Sequence, residues 1–155
     1  MASGYTPKET LERMLEQLGF TAEVREEPRA AGPTLHIFTA ESARLIGKGG
    51  KTLDDLQYLL NHVISSGNDD IQRVIVDVEN YRQEQHAALL KKLAEKAAHI
   101  KATGEEVVLP PMNSFDRRLV HHHFANDPDI ASVSEQTTAR LKRITLKRRA
   151  ADNVG

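Results

Sequence analysis

The sequence lacks cysteine altogether, which removes disulfides, thiolate nucleophiles and cysteine-ligated zinc from consideration. It also lacks tryptophan, and with 3 Tyr and 4 Phe any platform for stacking bases must be sparse. No apolar run approaches the roughly 20 residues that a bilayer span needs. No basic-then-apolar segment at the start reads as a signal peptide, so a cytoplasmic location is expected. Net charge is missing too: 21 basic residues meet 22 acidic ones, for a formal −1. Taken as a sum, that argues against a nucleic-acid ligand. What remains is a chain of 155 residues, 39% hydrophobic and 28% charged, enough for one ordinary domain or two small ones.

The pattern of residues predicts an α+β order. Thr6-Pro7-Lys8-Glu9 has the capping-box arrangement, and Leu11, Met14, Leu15 and Leu18 follow on one helical face until Gly19. Residues 20–28 alternate as a strand through Phe20, Ala22 and Val24. A loop at Arg29–Pro33 leads to a second strand, Thr34–Thr39, with Leu35 and Ile37 inward. A short helix is expected over Glu41–Ile46. A longer one over Thr52–Ser65 carries Leu53, Leu56, Leu60 and Val63 on one face. After a turn at Ser66–Asp70 comes a third strand, Gln72–Val78. Tyr81–Ala102 reads as one long helix, roughly 33 Å at 1.5 Å per residue, with Leu90, Leu93, Ala97 and Ile100 inward. Val107–Leu109 is a short strand candidate. Asn113 caps a helix running to about Ala125, with Asp116 reaching back to the cap and Phe115, Leu119 and Phe124 buried. Ala131–Glu135 and Arg140–Lys147 suggest an antiparallel pair. The expected division is residues 5–79, 80–148 and a loose tail at 149–155.

Counted by half, the charge is not neutral. Residues 1–79 hold 8 basic and 13 acidic side chains, and residues 80–155 hold 13 and 9. Six bases and no acid fall between Arg140 and Arg149 (Arg140, Lys142, Arg143, Lys147, Arg148 and Arg149). Such asymmetry points to an acidic partner, although a charge run alone is more often a solvated surface.

The stretch Ile46-Gly47-Lys48-Gly49-Gly50-Lys51-Thr52 lies between two expected helices. Glycines let a backbone approach a ligand closely, and the N-terminus of the following helix offers free N–H groups and the positive dipole end. Arg44, Lys48 and Lys51 add charge. The nucleotide P-loop would need Gly at position 45, which is Leu45, and a preceding strand. The Gly-x-x-Gly loop of KH domains, which clamps the backbone of about four nucleotides, needs helix, glycines and helix, and finds them here. Residues 5–79 resemble a KH domain of the bacterial type (type II). That resemblance makes Ile46 and Leu53 candidates for an apolar base groove, with plain core packing an equal alternative for each.

Arg117 and His121 stand four apart, on one face of the expected helix. A guanidinium fork beside an imidazole suits a phosphate oxygen. With Pro110-Pro111-Met112-Asn113 before it and a long helix upstream, this stretch resembles the R-three-H domain, a small α/β domain named for Arg, three residues and His. Arg118, Arg140, Lys142, Arg143 and Lys147 are auxiliary basic candidates. His121-His122-His123 does not suit a metal, because successive helical residues point about 100° apart; no metal and no cofactor are expected.

A KH domain joined through a long helix to an R-three-H domain resembles the Jag family, the bacterial SpoIIIJ-associated RNA-binding proteins. The resemblance implies single-stranded RNA binding without catalysis, a role as RNA chaperone or post-transcriptional regulator in cell elongation, division and envelope growth, and a small single-KH protein as partner. Family members often carry a further Jag-N domain and linker that this sequence does not contain, so functions resting on it are not expected of these residues. The alternatives are single-stranded DNA binding, a protein-interaction scaffold served by the acidic half, and, least favoured, a nucleotide phosphohydrolase.

Overall fold

The computed structural model describes residues 4–66 and 70–150. The expected turn at Ser66–Asp70 therefore falls partly outside the described residues, as does the tail beyond Ala150. The chain divides into two units, Met1–Glu84 and Gln85–Gly155.

In the first unit the Thr6 side chain accepts from the Glu9 amide at 3.1 Å, and the Glu9 carboxylate accepts from the Thr6 amide at 2.9 Å. This box starts α1, Pro7–Gln17. Gly19 ends the turn at φ 84°. Leu11 and Leu15 are buried, whereas Leu18, the C-cap just past the last helical residue, is 59% exposed. β1 (Glu23–Arg29) and β2 (Gly32–Phe38) pair antiparallel across a two-residue turn, Ala30–Ala31, with Arg29 opposite Gly32. α2 (Ser42–Ile46), a single 3₁₀ turn at Lys48–Gly50 and α3 (Lys51–Ser65) lead to β3 (Ile75–Val78), which lies parallel to β2. The sheet order is β1-β2-β3. Leu11, Leu15, Val24, Leu35, Ile37, Leu45, Leu53, Leu56, Leu60 and Val76 are among the residues that form the core.

Two features depart from the sequence pattern. Val63 is 46% exposed, and the buried stripe of α3 instead takes in Gln57 and Asn61, one turn apart. Asn61 exchanges two hydrogen bonds of 2.8 Å with the backbone of Val74, and Gln57 Oε1 accepts from the Val76 amide at 2.9 Å. α3 thus satisfies the open edge of β3, which would otherwise present unpaired backbone groups. The second face of the sheet is also covered. His36, in a position the alternation assigns to solvent, is only 2% exposed. Its Nε2 accepts from the Asn80 amide at 3.1 Å, so the proton sits on Nδ1, which meets Glu27 Oε1 at 2.9 Å. That hydrogen bond is the main cause holding the Glu27 carboxyl below its ordinary pKa. Asp77, fully buried, receives Arg29 Nη1 at 2.6 Å and the amides of Val78 and Arg82. Together these bonds hold the left-handed corner Glu79–Asn80 (φ 47° and 63°) at which β3 turns into α4, Tyr81–Thr103.

In the second unit α4 buries Leu93, Ala97 and Ile100, with Leu90 half-buried, and ends at Gly104 with φ 75°. β4 (Val107–Val108), α5 (Ser114–Phe124), β5 (Ile130–Ser134) and β6 (Ile144–Arg148) follow. The strands form one antiparallel sheet in the order β4-β6-β5. The expected last strand therefore starts later: Arg140 and Leu141 precede it, and Lys142 makes a lone bridge to Met112. α5 buries Val120 and Phe124, one turn apart, while Phe115 and Leu119 stay half-buried. Among the described residues no helix is long and apolar enough to cross a membrane.

Candidate nucleic-acid interface

The glycine loop joins α2 to α3 in the first unit. Gly47 has φ 72°, Gly49 φ 63° and Gly50 φ 81°, all left-handed. Space as well as φ demands glycine at two of them. A Cβ on Gly47 would overlap the Thr52 hydroxyl and lie 2.7 Å from Thr52 Cβ, and one on Gly50 would lie 3.0 Å from the Tyr81 ring. A Cβ on Gly49 would meet nothing within 4 Å, and the residue is exposed. α3 begins directly after the loop with no side chain capping its N-terminus, which leaves its first turn as a potential anion site.

Lys48 and Lys51 are exposed beside the loop. Arg44 is exposed as well, but its Nη1 donates to Glu41 at 2.6 Å and its guanidinium lies 5.1 Å from the Phe20 ring centre. Ile46 is half-buried at the margin of the core, whereas Leu53 is wholly inside it, so only Ile46 presents a surface to a groove. Two residues at the start of α4 escaped the sequence reading. Tyr81 packs over Gly50, and Arg82, 6% exposed, reaches Asp54 in the first turn of α3 at 2.8 Å. One further atom of this guanidinium, Nη2, is buried without a hydrogen-bond partner among the described residues.

In the second unit Asn113 Oδ1 accepts from the Asp116 amide at 2.9 Å and starts α5. The Asp116 carboxylate turns to His86 Nε2, 2.9 Å away, rather than back to the cap. Arg117 donates through Nη1 to the Met112 carbonyl at 2.8 Å. His121 lies against the sheet, with Nδ1 2.7 Å from Ser132 Oγ and Nε2 2.7 Å from Ser134 Oγ. Burial pushes its pKa below the ordinary value and the Arg117 charge adds to that, while the hydrogen bond to Ser132 works the other way. The imidazole is neutral at pH 7, and the two hydroxyls adapt to its single donor and single acceptor. Ser132 and Ser134 are functional candidates that a sequence pattern shows only as a period-two pair in a strand. His122 and His123 are exposed, and His123 lies edge-on to Phe124.

The basic run does not act as one patch. Lys142 is brought near Arg117, because the Met112 carbonyl receives both its amide, at 3.1 Å, and the Arg117 side chain. Arg118 is exposed, 5.9 Å from the Phe115 ring centre. Arg140 and Arg143 are exposed before β6, and the Arg143 amide donates to Glu135. Ser132 pairs with Leu146 and Ser134 with Ile144, so the face beneath His121 carries those residues. Lys147 alternates to the opposite face. Arg148 Nη2 donates to the Lys101 carbonyl at the end of α4, and Arg149 donates to the carbonyls of Phe124, Ala125 and Asp127 at the end of α5. These two arginines are helix C-caps. Arg149, placed by the sequence in a loose tail, is anchored.

Residues 87–148, which contain α5 and the whole sheet of the second unit, match the R-three-H domain family. A protein of Lactiplantibacillus plantarum named RNA-binding protein KhpB is 37% identical over 123 residues, covering 79% of this chain and 38% of the relative. Proteins of the same name from Clostridium symbiosum and Bacillus subtilis are 42% identical over 106 residues and 33% over 86. They are covered to 47% and 41%, so the chain spans between about a third and a half of the length of these relatives. Residues 87–148 are thus similar to the R-three-H domain family, and the chain is similar, over these aligned stretches, to the proteins named KhpB.

Proposed function

We propose that this chain is a single-stranded RNA-binding protein without catalytic activity, in which residues 5–79 act as a KH domain of the bacterial type and residues 80–148 act as the R-three-H domain. The observation that carries the reading is the placement of Arg117 and His121 four residues apart on α5, within the stretch that matches the R-three-H family, with Arg117 on the Met112 carbonyl and His121 on the Ser132 and Ser134 hydroxyls. Arg117 spends one N–H on Met112, and the guanidinium has five. The remaining donors can take a phosphate, and His121 then exchanges a serine hydroxyl for an anionic oxygen. The RNA relatives support the ligand class by their names.

The glycine loop supplies the other grip. Open backbone at Gly49, the uncapped N-terminus of α3 and the exposed Lys48 and Lys51 suit the backbone of a single strand. Two tethered weak sites raise apparent affinity where one strand spans both. With an overall charge near zero, affinity is modest and non-specific attraction low. From the resemblance to the Jag family we place the protein in the cytoplasm, as an RNA chaperone or post-transcriptional regulator serving cell elongation, division and envelope growth. A small single-KH protein is the proposed partner, and the exposed Leu59 and Val63 of α3 offer it an apolar surface.

Fluorescence anisotropy with a labelled single-stranded RNA tests the reading. The wild-type chain binds saturably, and Arg117→Ala with His121→Ala weakens it roughly tenfold, the loss of about one charge-assisted contact. Equal affinity of the folded double variant overturns the assignment.

A further inference from the structure

Within the second unit a groove of about 550 Å³ runs between one face of α4 and the segment joining β4 to α5. Leu93 and Leu109, both buried, are among its lining, and Leu89, Pro110, Pro111 and Met112 add apolar surface. The two prolines bring no N–H, so this wall carries few donors that a flat apolar ring would leave unsatisfied. Lys92 and Lys96, one turn apart on α4, also line it, and neither forms an ion pair among the described residues. Two acids share the lining, Glu95 and Asp116, and Asp116 is already engaged by His86. The volume lies in the ordinary range for small-molecule sites.

One residue is shared by the groove and the Arg117 site. Met112 belongs to the lining and receives Arg117 Nη1 on its carbonyl. A ligand that places an anion at Arg117 and a flat apolar group beside Met112 meets both features. Rim lysines that hold no carboxylate favour a second anion over an uncharged peptide. A nucleotide within a strand has this layout, with a base between two phosphates.

We propose that this groove seats a nucleobase of the strand whose phosphate Arg117 and His121 hold, with Lys92 and Lys96 meeting the adjoining phosphate. The inference rests on the phosphate reading of Arg117 and His121 given above. It assigns the R-three-H domain a base-contacting surface made from the α4 helix and the Leu109–Met112 segment.

Methionine labelling of the full chain tests it. The sequence has Met1, Met14 and Met112, so ¹³C-methyl spectra contain one groove reporter, and Met14 in the first unit is its control. Adenosine 5′-monophosphate and ribose 5-phosphate are titrated separately, with the His121 ring signals followed in parallel. Expected is a saturable shift of the Met112 methyl with the nucleotide, none with the sugar phosphate, and a His121 response to both. Lys92→Glu with Lys96→Glu, at an exposed and a half-buried position of α4, should weaken a single-stranded hexanucleotide roughly tenfold. A Met112 signal that stays still while His121 saturates overturns the groove and leaves the phosphate reading standing. Stillness of both overturns the two together. A Met112 response to an apolar peptide and not to the nucleotide also overturns it.

Discussion

Replacing Lys48 and Gly49 together by Asp tests the glycine loop, and the structure says what each change costs. Gly49 sits at φ 63°, ψ 20°, and a Cβ there meets nothing within 4 Å. The cost is thus the left-handed backbone alone, about 1 kcal/mol for an L-residue and less for Asp, which visits this region readily. Lys48 is exposed, and changes at such sites stay within about 0.5 kcal/mol. The first unit should therefore remain folded, with a melting temperature lowered by about 4–8 °C for each kcal/mol. Binding should suffer more. One charge-assisted contact is worth about 1.5–3 kcal/mol, and two carboxylates now face the phosphate. An affinity loss between about tenfold and a hundredfold is expected in anisotropy titrations, with thermal melts recorded on the same samples. Gly47→Ala makes a poor substitute, because its Cβ overlaps Thr52 and binding and folding would fall together. A double variant that melts as expected and binds RNA like the wild type refutes the phosphate cradle and, with it, the KH assignment of residues 5–79.

His121 predicts a pH dependence with a definite sign. Its pKa in the free protein lies below the ordinary 6.5, so the stability it contributes is present above about 6.5 and is lost as pH falls through the lowered value. Phosphate favours the imidazolium, so RNA affinity should rise as pH falls and level off only beneath that lowered pKa; a flat profile, with His121→Ala as control, removes His121 from the contacts. Arg149→Ala should cost the second unit about 1–2 kcal/mol in thermal melts through loss of the bonds to Phe124, Ala125 and Asp127. It should leave the salt dependence of binding unchanged, and a shallower salt slope would make Arg149 a phosphate contact instead. Asn61→Leu should destabilise the first unit by about 3 kcal/mol, because the Val74 amide and carbonyl both lose their partner; a loss under about 1 kcal/mol in denaturant titration would show that water replaces it.

Local signals were readable in the sequence because they act within a few residues. The Thr6/Glu9 box, the glycines at 47, 49 and 50 between two helices, and the shared face of Arg117 and His121 all depend on short spacing. What stayed hidden depends on distant partners. His36 looks solvent-facing from alternation, yet Arg29, Asp77 and Asn80 close over the second face of the sheet. Gln57 and Asn61 interrupt an apolar stripe because the strand edge they satisfy lies more than ten residues away in sequence. The run from Arg140 to Arg149 looked like one basic strand, but β6 starts at Ile144, Lys147 alternates away from His121, and Arg148 and Arg149 cap helices. Charge counting registers number and sign, not the carbonyls that some of those charges already hold. Ser132 and Ser134 were invisible as a site until the fold set them against His121.

Single-stranded RNA held through its phosphates at two places would show itself in the dependence of affinity on salt. For single strands the slope of log K against log salt is about −0.7 for each phosphate neutralised. A negative slope is expected for the wild-type chain. A slope shallower by about 0.7 or more is expected in the Lys48/Gly49 variant and again in the Arg117/His121 variant, with both losses adding when the two are combined. A flat slope in the wild type, or slopes unchanged in both folded variants, contradicts this two-place hold.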